Sequence, residues 1–291
     1  MKSKPIPESE MIINPDGSIF HLHLTPEQIT DNIIVVGDPG RVDMVASFFD
    51  KRTFEVSSRE FHTIGGLCKG KPVMCLSHGI GSDNIDIVIT ELDALANVDF
   101  STRTVREKLR QISIVRIGTS GSLQPDIPVG AWVIASKAIG FDGVLNYYAG
   151  RDQVADLGFE KAFCQSVDWN QLWAKPYVVD ADPELVERIG HDDMTRGCTI
   201  SAVGFYGPQG REVRLPLARP DLNSRITAFR YHGQRVTNYE MEGAALQGMA
   251  RLMGHKAMTV CAIIANRESK AATPNYKTSV QDLVATVLDR L

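Results

Sequence analysis

Short apolar runs alternate with helical stripes along almost the whole chain, and glycine turns stand at the joints between them. These two features predict an α/β fold: a single domain with a mainly parallel or mixed central β-sheet flanked by helices. At 291 residues the chain is long enough to bury a full core. No internal repeat is visible.

Residues 1–18 are polar and proline-rich and read as an N-terminal arm, with the domain proper spanning 19–291. In FHLHLTPEQI, alternation predicts a short strand. Phe20, Leu22 and Leu24 would lie on one side, His21 and His23 on the other. Thr25 followed by Pro26 reads as a helix cap and first turn. Two histidines two apart on a strand suit a metal, but no third ligand stands near, so a structural or exposed role is preferred.

Asn32 to Val36 reads as a buried strand. It runs into GDPGR (Gly37 to Arg41) and then a helix with Val42, Val45, Phe48 and Phe49 on its apolar stripe. Strand, glycine turn and helix aim backbone N–H groups at an anion, and Arg41 adds a charge there. The spacing is neither the dinucleotide fingerprint nor a Walker sequence, so plain turn chemistry competes with an anion site. The stretch from Phe54 to Gly81 reads as strands joined by glycine turns, with a hairpin at LCKGKPV. Arg59 and Glu60 stand in it as an adjacent pair, facing opposite sides if extended. A helix from Asp83 to Ala96 follows.

In ISIVRIGTSGSL, Arg116 interrupts an otherwise buried strand. A buried arginine needs an anion or a dense hydrogen-bond shell. Thr119 and Ser120 add hydroxyls, and the glycines admit close approach. An oxyanion site is therefore weighed here against an internal salt bridge. A turn and a strand (AWVIASKAI) follow. Residues 140–175 are aromatic and loop-rich without clean period, and read as an excursion serving as lid or subunit contact. A helix begins at Pro183. The strand GCTISAVGF leads into FYGPQGREVR, where Phe205, Gln209 and Arg211 suit a heteroaromatic ring with adjacent C=O and N–H groups; an ordinary loop is the plainer reading. In NYEMEGAAL, Glu240 and Glu242 flank Met241 at a helix start. A charged helix start competes there with a clamp for a polyhydroxylated ligand. KAMTVCAIIANR is a final buried strand, and a helix from about Thr278 to Leu291 closes the chain.

The composition, 43% hydrophobic and 23% charged, is that of a soluble globular protein. A net charge of -4 argues against nonspecific nucleic-acid binding. No apolar stretch is long enough for a membrane span, and the N-terminus lacks a signal-peptide core. The 5 cysteines have no C-x-x-C spacing, so reduced thiols in a cytoplasmic protein are expected, without a zinc site.

Six fragments in order, GDPGR, REF, RIGTSG, FYGPQGR, YEME and ANR, together resemble the nucleoside phosphorylase family, closest to its uridine phosphorylases. The likeness runs over nearly the whole chain, and it implies a phosphorylase/hydrolase-like α/β subunit. It implies phosphorolysis of uridine by inorganic phosphate to uracil and ribose 1-phosphate, with no cofactor. By the resemblance, Gly37, Arg41, Arg116 and Thr119 bind phosphate, joined by Arg59 from a neighbouring subunit. His21 touches the ribose 5′-hydroxyl from that neighbour, and Met241 and Glu242 hold the ribose. Phe205, Gln209 and Arg211 bind the base, with Glu240 beside it and Ile264 as an apolar wall. Arg211, Gln209, Glu242 and Arg116 would carry the catalysis. Purine-specific relatives have an aspartate at the position of Asn266 and lack the Gln209–Arg211 pair. Glu60 resembles a ligand of an interfacial potassium (K+) site; the serine completing that site is Asn84 here. Ser120 replaces the family's second threonine and keeps the hydroxyl. Shared residues imply a homodimer as active unit, with a hexamer as the larger assembly left open.

Overall fold

Strand β1 (Asn32–Val36) shows how the sequence sets the layers. Ile33 and Val35 point into one hydrophobic core, Ile34 and Val36 into another on the opposite face. This period of two is what a sheet covered on both faces requires. Each such side chain contributes about 1.5–3 kcal/mol by leaving water. The computed structural model of the protein describes residues 4–273 and 275–291.

Helix α1 (Pro39–Ala46) follows β1 directly, with Asp38 capping it by accepting from the Gly40 N–H at 3.0 Å. It ends before Phe48 and Phe49, which pack on the core from beyond its C-terminus. Strands β2 (Lys51–Ser58), β3 (Phe61–Cys68) and β4 (Lys71–Ser77) form antiparallel pairs, and Lys69–Gly70 make the expected hairpin turn with positive φ at both residues. Helix α2 (Ser82–Asn97) leads to a small ribbon of β5 (Val98–Asp99) and β6 (Thr104–Val105). Strands β7 (Ser113–Ser122) and β8 (Trp132–Gly140) come next. Helix α3 (Leu157–Val167), strand β9 (Tyr177–Asp180) and helix α4 (Pro183–Ile189) precede β10 (Met194–Ser201). Helix α5 (Leu222–Ala228), β11 (Arg230–Tyr231), β12 (Gln234–Glu240), α6 (Gly243–Leu252), β13 (Lys256–Asn266) and α7 (Lys277–Arg290) complete the chain.

The sheet runs β11-β12-β10-β8-β13-β7-β1-β4-β3-β2, with β9 on β8. Strand β12 also pairs antiparallel with β7, so β7, β13, β8, β10 and β12 close into a ring. Strands β4, β1, β7 and β13 run one way, and β8, β10 and β12 the other, which makes the sheet mixed. The Glu240 end of β12 therefore comes to lie beside Gly118–Gly121 of β7.

Three local expectations change. FHLHLT is a turn rather than a strand, and His23 adopts φ 57°. Leu22 and Leu24 are buried, which produces the alternation without a ladder. Residues 6–11, read as part of an arm, are fastened to the body by Arg103, whose guanidinium donates to the Ile6, Pro7 and Met11 carbonyls. Within 140–175 lies α3, whose Phe159, Phe163 and Val167 pack with Ile139, Ile200 and Phe229 into a core of their own.

Candidate active site

Arg116 sits in the middle of β7 and is almost wholly buried, so its charge must be answered inside the protein. Nη1 pairs with Glu240 at 2.9 Å and Nη2 with Glu242. Nε donates to His78 Nε2 at 3.1 Å, and Nη1 also approaches Cys261 Sγ at 3.7 Å. Gly118 makes room for this arrangement, because a Cβ there would stand 2.6 Å from the guanidinium. Burial works against the Arg116 charge, but Glu242 and Glu240 more than offset it and hold the group above its usual range. One cation then serves two buried acids. Burial pushes Glu242 upward against the pull of Arg116, and the like charge of Glu240 adds to the push.

The two glutamates do different work. Glu240 ends β12 and accepts from the Glu242 and Gly243 backbone N–H groups at 2.8–3.0 Å, as well as from the Ser201 hydroxyl. It satisfies the orphan donors at the start of α6. Its acceptors are engaged by α6, Ser201 and Arg116, and among the described residues no hydrogen bond or ion pair joins it to Arg211. Glu242 keeps fewer ties. Its Oε1 accepts from the Gly81 N–H at 2.8 Å, in a turn where Gly81 takes φ 100°, a conformation that other side chains rarely adopt. Met241, between them, is half-buried.

Beside this cluster, the Arg41 guanidinium donates to the Ile117 carbonyl at 3.2 Å, one residue beyond Arg116. Burial, and then the charge of Arg116, lower its pKa. Arg41 makes no ion pair among the described residues. Gly37 and Thr119 are partly exposed at the ends of β1 and β7. So the two arginines do converge, but Arg116 adopts the internal salt bridge, and Arg41 is the cation left without a carboxylate.

The third group lies in the loop after β10. Gln209 is buried, and its Oε1 accepts from Arg211 at 2.7 Å and from Arg267 at 3.2 Å. The Arg211 guanidinium stacks 3.6 Å from the centroid of Phe205, whose ring is half exposed. Burial, and then the neighbouring Arg267, press the Arg211 pKa down to about 10. Two cations on one neutral amide form a place that gains from negative charge. Ile264 is half-buried near the end of β13. Arg211 also lines a cavity of about 810 Å³ that opens between Trp169, Trp173 and the segment Val213–Leu217.

His21 and Arg59 lie elsewhere. His21 Nδ1 contacts Glu91 at 2.6 Å, and Arg59 sits 5.6 Å from the centroid of Phe20. Among the described residues, no hydrogen bond or ion pair joins either of them to the Arg116 cluster of the same chain. Arg59 has φ 55° in the turn between β2 and β3, so Arg59 and Glu60 are a turn pair rather than an extended one. Glu60 and Asn84 both approach Gly79. Among the described residues, no group of three or more His, Cys, Asp or Glu side chains could hold a metal ion, and no helix is long and apolar enough to cross a membrane.

The family model described as the phosphorylase superfamily matches residues 31–291. The chain belongs to the phosphorylase superfamily. It is 30% identical over 270 residues to a uridine phosphorylase of Haemophilus influenzae, covering 91% of this chain and 92% of that protein. It is 29% identical over 260 residues to a uridine phosphorylase of Thermococcus kodakarensis, covering 87% and 79%. Among solved structures, a Trypanosoma brucei nucleoside phosphorylase reported to show uridine phosphorylase activity superposes with a TM-score of 0.84 at 26% identity, over 97% of this chain and 99% of that one.

Within this superfamily fold, several contributors escaped the sequence reading. His78 and Gly81 lie in a turn that looked like punctuation. Their only signal was a histidine placed between a buried strand and G-x-G. Arg267 was visible as a strand end and as the last residue of the ANR fragment, without a role. Asn266, taken as a marker of base choice, is 3% exposed and fully engaged elsewhere. Its Nδ2 donates to the Gln124 and Ile127 carbonyls at 2.9 Å, and its Oδ1 accepts from the Glu268 and Ser269 N–H groups. It shapes the turn after β13 and presents no free group to a ligand.

Proposed function

We propose that this superfamily member is a uridine phosphorylase, a pentosyltransferase that converts uridine and phosphate reversibly to uracil and α-D-ribose 1-phosphate. The observation that carries the reading is Gln209 held between Arg211 and Arg267, with Arg211 stacked on Phe205. An amide beside guanidinium donors matches a ring edge that alternates C=O and N–H. The same two cations suit uracil as it takes up negative charge while the glycosidic bond lengthens. Asn266 is an amide, with no acidic proton to give a purine ring nitrogen. The uridine phosphorylase named for Haemophilus influenzae and the activity named for the Trypanosoma brucei structure support the same substrate class.

Phosphate is the nucleophile, so no serine or cysteine needs activation. Arg41, with Gly37 and Thr119, would hold it against C1′ on the face opposite the base. Arg116 would border that anion while keeping Glu242 ionised. Glu242 would then accept from the ribose 2′- and 3′-hydroxyls, with Met241 against the sugar. Attack from that side inverts C1′. His21 and Arg59, remote from their own chain's cluster, would complete the site of a neighbouring copy in a homodimer, which a hexamer could repeat. A cytoplasmic location and a K+ ion at Glu60 belong to the same reading.

Uridine, deoxyuridine, thymidine and inosine, each incubated with and without phosphate, test it by release of free base. Phosphate-dependent uracil release from uridine is expected. Release without phosphate would make the protein a hydrolase, preference for inosine would make it a purine enzyme, and no release would leave a nucleoside-binding protein.

A further inference from the structure

His78 is fully buried just beyond β4, and its backbone N–H extends the sheet by donating to the Val36 carbonyl at 2.8 Å. Its ring faces two functional segments at once. Nε2 accepts from Arg116 Nε at 3.1 Å. Cε1 lies 3.7 Å from the position a Cβ would take on Gly37, the first residue of the anion loop. Because Arg116 Nε is a donor only, Nε2 must be an unprotonated acceptor, which places the ring proton on Nδ1. Nδ1 is buried and faces the backbone of His78 and Gly79, where a ring proton is directed at peptide carbonyls. The geometry thus selects the tautomer that presents an acceptor to Arg116.

The carboxylates of Glu240 and Glu242 fix the two terminal nitrogens of the guanidinium but leave it free to tilt about the line between them. A third contact at Nε removes that freedom. We propose that His78 is a positioning residue: its neutral imidazole sets the plane of Arg116 between the anion loop at Gly37 and the ribose clamp at Glu242. Loss of this contact tilts Arg116 and weakens phosphate binding, while the fold, held by the two carboxylates, persists. The proposal rests on the reading of the Gly37–Arg41 loop as a phosphate site.

The test compares His78→Gln with His78→Leu. Glutamine places Oε1 near the position of Nε2 and restores an acceptor; leucine fills the space without one. Inorganic phosphate binding is measured by calorimetry, KM for phosphate and kcat are measured separately, and thermal midpoints are recorded. The Leu variant should lose about 10- to 100-fold in phosphate affinity. The Gln variant should stay within about threefold of wild type, the carboxylate pairs of Arg116 being unchanged in both. Equal loss in both variants with a lowered thermal midpoint would make His78 a packing residue, and unchanged phosphate affinity in the Leu variant would overturn the proposal outright. If wild type binds phosphate but releases no base from any nucleoside, the functional reading fails while the His78 comparison still decides. If wild type binds no phosphate, both fail.

Discussion

The Arg116 cluster and the Gln209–Arg211 loop both present arginines, yet they are built in opposite ways. Arg116 lies within a strand of the closed ring, buried, with each of its nitrogens engaged by protein. Arg211 lies in a loop over an 810 Å³ cavity, stacked on a half-exposed Phe205 and bonded to one neutral amide and a carbonyl. The first is a structural charge, proposed above to border phosphate as well. The second has no carboxylate partner among the described residues, which leaves its charge open to a bound anion. The contrast locates stability on the strands and responsiveness to ligand on the loop.

The sharpest way to break this comparison is to remove each arginine and ask what is lost. Arg116→Met leaves Glu240 and Glu242 as neighbouring buried acids without their cation. A loss of about 3–5 kcal/mol of stability is expected, together with activity. Denaturant titration measures it, and a variant as stable as wild type would show that the clamp is not a buried ion pair in solution. Arg211→Ala should do the reverse. Its kcat/KM for uridine should fall about 100- to 1,000-fold, as when a donor to a developing anion is lost. Its unfolding midpoint and its equilibrium phosphate binding should stay near wild type. Equal loss of phosphate binding would merge the two regions into one site.

The same contrast explains what could be read from the sequence. Strand β7 was legible because an arginine inside an apolar run has few explanations, and its glycines named the close approach. The helices α2 and α7 were legible because their apolar residues recur at helical spacing. Helix α3 was not, although Phe159, Phe163 and Val167 recur every four residues; the aromatic residues Trp169 and Trp173 just after it blurred the period. Strand β9 has only four residues, and β12 opens with Gln234 and Arg235, so neither offered a long apolar run. Partner choice was the deeper gap. Spacing placed Glu240 and Glu242 together at a helix mouth, but only the pairing of β12 with β7 shows that both meet Arg116. Likewise Asn266 stands at a strand end, as a ligand-facing residue would, yet its amide is consumed by the turn it organises.

The buried side of the comparison also predicts a pH dependence that the loop should lack. His78 is held well below its ordinary pKa, first by burial, then by the charge of Arg116 on β7, with Arg41 of α1 adding to it. Glu240 and Glu242 lie beyond the Arg116 guanidinium, and Cys261 of β13 lines its other side. The native imidazole therefore stays neutral where the unfolded one, titrating near 6.5, takes up a proton. A group with a depressed native pKa contributes its full stability above the unfolded value and loses it as pH falls below that value. Between pH 6.5 and 5.5 this single group should cost wild type about 1 kcal/mol that His78→Gln does not lose. The elevated Glu242 acts in the opposite sense, gaining as pH falls, but it is present in both proteins and drops out of the difference. Denaturant titrations of both proteins at pH 7.5, 6.5 and 5.5 measure the gap. Curves that stay parallel across that range would show that the imidazole protonates in the native state, and with it that the acceptor facing Arg116 is not maintained.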